Sequence, residues 1–320
     1  MTQRKVWIDV AKGLGIISVV FGHILQNHWV FLWHMPLFFV LSGYNFHAHD
    51  NWGGYLNKLI KRLLYPYFMV LFICLLLGEV NLSSNWGFHD LLRSLPNLPK
   101  LSIENALYGG VKLTGVYAVF WFVTVLFVSL VLFSLLSRVG LRWWMVVCLM
   151  IVGYVPQYHR FFLPWNLQVV PMVLAYEGVG CLLRDRIDDY RVKNNWHWLI
   201  GGLVFLCIVS SIPALSQDMK YNVFGIFLIS FVFSVLCVFS LFVLSKHLSN
   251  TRLAFLLSLF GKGSLFVMYS HMFINTIMAV YIPNNWIRLF LVLFVTGCVL
   301  FFVDFISDRF SSGLIRDRLH

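Results

Sequence analysis

Long apolar stretches alternate with short polar ones along almost the whole chain. Each apolar stretch is close to the roughly 20 residues that an α-helix needs to cross a bilayer. The pattern therefore predicts an all-α polytopic membrane bundle of about ten transmembrane helices. The approximate spans are 6–26, 28–46, 64–80, 117–137, 141–157, 166–183, 197–214, 221–245, 264–282 and 286–306.

Composition agrees with this pattern. Hydrophobic residues make up 60% of the 320 residues, charged residues only 12%, and the mean hydropathy is +0.80. A soluble domain carries about 25% charged residues. We expect one transmembrane domain over residues 1–320. The first apolar stretch resembles a signal peptide, but Asp9 and Lys12 interrupt it and no small-residue cleavage site follows, so we interpret it as a retained helix.

The net charge of +11 comes from basic residues in short loops. Most of the 24 lysines and arginines fall in one alternating set of these loops, which indicates that both termini are cytoplasmic. We therefore expect contact with the lipid bilayer and no nucleic-acid partner. The six cysteines lie in apolar segments without C-x-x-C spacing, which favours small buried apolar residues over disulfides or metal ligands.

The longest predicted loop, residues 81–116, lies on the predicted outer face. Loops of this length are uncommon unless they have a function. A lid or acceptor-binding element and a partly helical cover packed on the bundle both remain open.

Ionisable residues in the first segment are candidates for chemistry. Lys12 and His23 are eleven positions apart, which places them about 20° apart around a helix and about 16 Å apart along it. Asp9 can pair with Lys12 three positions away. Ionisable groups inside a bilayer mark functional sites. The alternative is that Lys12 extends to the inner interface and His23 caps the outer one.

The second segment adds His34, at nearly the predicted depth of His23. Imidazole titrates near neutral pH, which suits a general base for a hydroxyl group. Pro36 inside this helix frees a backbone carbonyl, and such groups are tolerated where they meet other polar groups. We therefore expect His34 to face the same polar cavity as His23. No third ligand supports a zinc site, and we expect no metal.

Two further features carry charge. Lys58, Lys61 and Arg62 precede the third segment on the predicted cytoplasmic side, where they bind donor phosphates or simply anchor the helix. Glu177 lies inside the sixth segment and needs a partner, for which Lys12 or Arg288 is suitable. A structural pair and a functional site remain equal alternatives for Glu177.

Five motifs in order resemble the membrane-bound acyltransferase 3 family over nearly the whole chain. The chain is closest to the branch that resembles fucose 4-O-acetylases. The motifs are Lys12-x10-His23, the stretch Trp33-His-Met-Pro-Leu-Phe-Phe-Val-Leu-Ser-Gly-Tyr44, Lys61-Arg-Leu-Leu-Tyr-Pro-Tyr67, Phe120-Trp-Phe-Val123 and Gly261-x2-Ser264-x4-Tyr269-x-His271. Lys12 and the Lys58-x2-Lys61 pair depart from the arginines that are commoner in relatives. A lysine does not form the bidentate phosphate contact of an arginine, so such contacts are in doubt at these positions.

The resemblance implies a membrane O-acyltransferase, with acetyl-CoA as the donor and a sugar hydroxyl of a cell-surface or lipid-linked glycan as the acceptor. It implies a bacterial cytoplasmic membrane location. Under this reading the residues divide into three groups: His23, Lys12, His34 and Asp9 in catalysis; Lys58, Lys61, Arg62, Tyr269 and His271 in donor binding; and Trp121 and Glu177 in substrate binding.

Two other classes compete with an acyltransferase. A transporter or flippase for a lipid-linked glycan also needs intramembrane charges, but we find no inverted repeat in the sequence. A signalling or scaffold protein explains the packing and leaves the two histidines without a role.

Overall fold

The structure is a computed structural model, and it describes residues 5–83, 101–190 and 196–316. These residues form helices and connecting turns, and no strand occurs among them. The helices up to the long loop are α1 Val6–Leu25, α2 His34–Asn45, α3 Trp52–Leu59 and α4 Tyr65–Ser83. Those that follow are α5 Ile103–Tyr108, α6 Trp121–Val139, α7 Trp143–His159, α8 Val170–Leu182, α9 Arg184–Asp189, α10 Trp196–Ser210, α11 Ile229–Leu248, α12 Leu253–Lys262, α13 Ser264–Tyr281 and α14 Asn285–Arg316.

Six helical stretches in the described part of the chain are long and apolar enough to cross a membrane. They are Val6–Leu25, Trp52–Leu76, Gly115–Val139, Ile229–Leu248, Ser264–Tyr281 and Asn285–Ile306. All six overlap predicted spans, although Trp52–Leu76 begins 12 residues before the predicted span 64–80. The other four predicted spans contain the shorter helices α2, α7, α8 and α10, of 12 to 17 residues. The described part of the chain is thus all-helical, and its six candidate spans indicate a multi-pass membrane protein, while the count of ten and the cytoplasmic termini stay predictions.

The chain divides into two compact units. The first consists of residues 1–27 and 244–320, which contain α1, α12, α13 and α14. The second consists of residues 28–243, which contain α2 to α10. Helix α11 runs from the second unit into the first.

In the first unit, α1 and α12 pack through two glycines. A Cβ on Gly13 would collide with the carbonyl oxygen of Leu257, and one on Gly261 would collide with that of Asp9. Because the position on α12 falls by four as the position on α1 rises by four, the two helices are antiparallel. Small residues that allow backbones to touch are the usual helix–helix contact in membranes.

In the second unit, α2 and α8 pack in the same way. A Cβ on Gly43 would meet the carbonyl oxygen of Glu177, and one on Gly180 would meet that of Val40. This pair is antiparallel for the same reason.

The carboxyl end of α2 is held by Arg184, at the start of α9. Its guanidinium donates to the carbonyl of Tyr44 at 2.7 Å, to that of Gly43 at 3.3 Å, and to that of Phe46. The last carbonyls of a helix have no partner within the helix, and a cation there also suits the helix dipole. The Tyr44 hydroxyl donates to Asp188 at 2.5 Å. Arg184 thus fixes the end of α2 against α9.

The cysteines are free thiols, as predicted, but the expectation that all are buried is wrong. Cys148, Cys207 and Cys298 are exposed on apolar helices. A thiol on a lipid-facing surface needs no protein cover, since the lipid itself is apolar.

Candidate functional site

One face of helix α1 forms a stripe that carries Lys12 toward one end and His23 at the other. The helix is unbroken from Val6 to Leu25, so Lys12 and His23 share a face as predicted. Both side chains are half-buried, and Ile16 and Val19, which lie between them on the stripe, are buried. The glycine contact with α12 uses a neighbouring face, since Gly13 points about 100° away from Lys12.

Asp9 is buried at the start of α1. Its carbonyl oxygen lies against Gly261, so tight packing with α12 fixes its backbone. The Lys246 ammonium lies 5.4 Å from the centre of the Trp7 ring in the same region of the first unit. This end of α1 is therefore rich in charge.

The other end of the stripe brings two histidines together. The rings of His23 on α1 and His271 on α13 have centroids 5.6 Å apart and planes inclined by 35°. His271 is completely buried. Its Nδ1 lies 2.8 Å from the carbonyl oxygen of Val267. A carbonyl can only accept, so we assign the proton of His271 to Nδ1, which leaves a lone pair on Nε2. That Nε2 is buried without a hydrogen-bond partner among the described residues.

The sequence grouped His271 with Tyr269 in donor binding, but the structure separates their side chains. Two positions along a helix correspond to about 200°, so Tyr269, also buried, leaves α13 on the face opposite His271. Helix α13 begins directly after Gly263, which separates it from α12. No spacing in the sequence indicates the pairing of His23 with His271, because it depends on how α1 and α13 pack.

His34 lies in the second unit as the first residue of α2. It is 4% exposed, and its Nδ1 lies 2.8 Å from the carbonyl of Val30. The argument from Pro36 is wrong, because α2 begins at His34 and Pro36 lies in its first turn, where the backbone N–H has no helical partner in any case. The shared cavity of His34 and His23 stays a prediction.

Glu177 is completely buried in α8. Its Oε1 accepts from Ser129 at 2.9 Å and from Ser42 at 3.2 Å, while Oε2 has no hydrogen-bond partner in the described residues. The expected cationic partner is thus replaced by two hydroxyl groups. Arg288 binds locally instead, to the Ile282 carbonyl at 3.0 Å and the Asn285 side chain at 2.5 Å.

The basic residues before α4 lie at an irregularity that the sequence does not reveal. Residues Ile60–Leu64 form a π-helical segment between α3 and α4, and this segment contains Lys61 and Arg62. Both these cations are exposed, and so is Lys58 at the end of α3. π-Helical turns occur frequently at functional sites.

Trp121 is the first residue of α6 and is 7% exposed. Its carbonyl accepts from the Thr124 hydroxyl at 2.9 Å. Its indole therefore packs inside the second unit, and its assignment to substrate binding stays a prediction.

A buried lysine that the sequence analysis did not single out joins three loops of the second unit. Lys220 is 4% exposed, and its ammonium donates to the Leu113 carbonyl at 2.6 Å. Its own carbonyl accepts from Asn166 at 3.0 Å. Burial lowers the pKa of Lys220 to about 8, against the opposing effect of Asp218. Lys220 thus ties together the loops before α6, α8 and α11.

Comparison with known proteins agrees with this architecture. The family model of the acyltransferase domain matches residues 5–305. The nodulation protein NolL of Sinorhizobium fredii (strain NBRC 101917 / NGR234) is 23% identical over 230 residues, which cover 64% of this chain and 57% of NolL. No solved structure matches significantly. With a match over nearly its whole length, the chain belongs to the acyltransferase 3 family of membrane acyltransferases.

Proposed function

We propose that this acyltransferase is an O-acetyltransferase of the bacterial cytoplasmic membrane, which transfers an acetyl group from acetyl-CoA to a sugar hydroxyl of a cell-surface or lipid-linked glycan. The observation that carries the proposal is the contact between the rings of His23 and His271, at the end of a helix that also carries Lys12. A hydroxyl nucleophile needs a base, and an imidazole is the side chain that fits this task near neutral pH.

In the proposed reaction His23 takes the proton of the acceptor hydroxyl, and the oxygen attacks the carbonyl carbon of the thioester. The tetrahedral intermediate then expels the CoA thiolate, which takes the proton back from His23. The products are the acetyl ester and CoA with a free thiol, so atoms and charge balance.

His271 is proposed to orient His23 in this reaction. A linear N–H···N hydrogen bond of about 3 Å between two imidazoles places their centroids about 5.3 Å apart, because each nitrogen lies about 1.15 Å from the centre of its ring. The observed separation of 5.6 Å therefore needs to shorten by about 0.3 Å, and catalytic hydrogen bonds commonly tighten when substrate binds. Through Nε2, His271 would then accept the N–H of His23 and stabilise its protonated form.

Lys12 is better placed to bind the acetyl-CoA donor than to stabilise the reacting carbonyl of its thioester. Side chains on a helix all lean toward its N-terminus, so Lys12 and His23 lean in the same direction and their attachment points stay about 16 Å apart along the helix. We assign Lys12, together with Lys58, Lys61 and Arg62, to the phosphates and pantetheine arm of acetyl-CoA. Asp9 would orient Lys12 from one turn away.

The test uses the full-length protein in lipid nanodiscs with acetyl-labelled acetyl-CoA. The acceptors are three methyl glycosides: methyl α-L-fucopyranoside, methyl α-L-rhamnopyranoside and methyl β-D-galactopyranoside. We expect CoA release that increases with acceptor and a labelled ester on at least one glycoside. Folded protein that neither cleaves the thioester nor forms an ester would contradict the proposal and favour a glycan flippase, whereas thioester cleavage without any glycoside ester would contradict the sugar acceptor.

A further inference from the structure

Asn275 lies on the same face of α13 as His271, one turn farther along. Four positions correspond to about 40° around the helix axis, and the Cβ atoms of such residues lie about 5–6 Å apart. Asn275 is half-buried. One turn beyond the orienting histidine, the residue on this face is therefore an amide.

The direction of α13 places this amide on the side away from Lys12. Just before α13 begins, Gly261 lies against Asp9. Just after it ends, Trp286 packs edge-on against Phe21 with ring centroids 6.2 Å apart. Helix α13 therefore runs in the same direction as α1. Asn275 therefore lies farther along this direction than His271, on the side of His271 away from Lys12.

One atom of the Asn275 amide lacks a hydrogen-bond partner within the described residues. Its Oδ1 is buried without a hydrogen-bond partner. A buried polar group without a partner costs free energy, above all in a membrane protein, where water does not compensate it. Such groups in native structures call for an explanation, and a bound substrate is one.

We propose that Asn275 is a positioning residue for the acceptor, which binds the hydroxyl group adjacent to the one that is acylated. This inference rests on the proposed function. A carboxamide both accepts and donates hydrogen bonds, as a hydroxyl does, so the pair is complementary. The donor occupies the Lys12 side of the histidine pair, and the acceptor occupies the Asn275 side. The site therefore selects vicinal diols, such as those of a sugar ring, over isolated hydroxyl groups.

The test compares Asn275→Leu, which removes both polar atoms at similar volume, with Asn275→Asp, which keeps an acceptor oxygen. The control is Thr276→Val, the next residue of α13, which points about 100° away. Each full-length variant in nanodiscs is assayed with acetyl-CoA and the best of the three methyl glycosides, with the deoxy analogue lacking the adjacent hydroxyl, and with water as the acceptor.

For Asn275→Leu we expect kcat/KM for the glycoside to fall about tenfold or more, while hydrolysis to water stays within twofold. For the wild type, we expect kcat/KM to fall by a similar factor when the deoxy analogue replaces the glycoside. For Asn275→Leu, we expect the same kcat/KM with both acceptors. Asn275→Asp retains part of the preference for the glycoside over its deoxy analogue. Thr276→Val behaves as the wild type with every acceptor.

Three outcomes overturn the inference. One is a wild-type kcat/KM in Asn275→Leu. Another is an equal loss of transfer and hydrolysis in Asn275→Leu and Asn275→Asp, which would show a structural role. The third is a deoxy effect that is unchanged in Asn275→Leu. The proposed function fails separately, when wild-type protein forms no ester with any of the glycosides.

Discussion

The helix pairs α1–α12 and α2–α8 use the same packing device and place their ionisable groups differently. Each pair is antiparallel, and in each a glycine of either helix faces a backbone carbonyl of the other. In α8 the contact residue is Glu177 itself, whose carboxylate is enclosed by two serines. In α1 the stripe with His23 lies beside the contact face, and the His23 ring meets another imidazole.

This difference indicates different roles. A carboxylate on the contact face is held by packing and has no room to move, which suits a structural group. An imidazole beside the contact face can meet a substrate without disturbing the helix pair. The comparison therefore predicts that His23 matters for chemistry and Glu177 for stability.

The largest expected effect is that of His23→Ala on transfer. We expect the acetylation rate to fall at least a hundredfold, the usual contribution of a general base, while the size-exclusion profile in detergent stays that of the wild type. His159→Ala, at an exposed helix end in the second unit, is the matched control. A well-folded His23→Ala protein with near-normal acetylation would refute the catalytic role.

Adding bulk at the contact glycines should damage both pairs equally. Gly13→Val and Gly43→Val force a side chain into a backbone carbonyl, so we expect each to destabilise the protein by about 3 kcal/mol or more. The measurement is the thermal unfolding midpoint in nanodiscs. Gly201→Val is the control, since a Cβ there meets nothing within 4 Å. A normal midpoint in either contact variant would mean that its pair is not packed as described.

Glu177→Gln should separate structure from chemistry. The amide keeps an oxygen that accepts from Ser129 and Ser42, so we expect transfer to stay within tenfold of the wild type. Glu177→Leu leaves both hydroxyl groups without this acceptor, and we expect a loss of about 1–3 kcal/mol in stability. If Glu177→Gln is folded but inactive, Glu177 takes part in the reaction and the contrast with His23 disappears.

The smallest effect is expected at the exposed basic residues. Neutralising both Lys61 and Arg62 to Gln should raise the KM for acetyl-CoA several-fold, with little change in the KM for the glycoside, because each exposed contact with a phosphate is weak. Arg138→Gln, another exposed cation at the end of a helix, is the control. Equal changes in both KM values would indicate that the cluster only anchors the helix.

The sequence alone determined the helical class, because a bilayer requires long apolar stretches, and those are visible in the order of residues. It also determined the shared face of Lys12 and His23, because helical geometry fixes directions within one element. It also indicated a family from five ordered motifs.

Only the tertiary structure decided which elements meet. His23 meets His271 across some 250 residues of chain, and Glu177 meets Ser42 and Ser129 in place of a cation. The π-helical segment at Lys61 and the start of α2 at His34 likewise depend on the packing around them. Periodicity specifies where a side chain points on its own helix, but the partner that it reaches is set by the contacts between helices, which here depend on a few glycines.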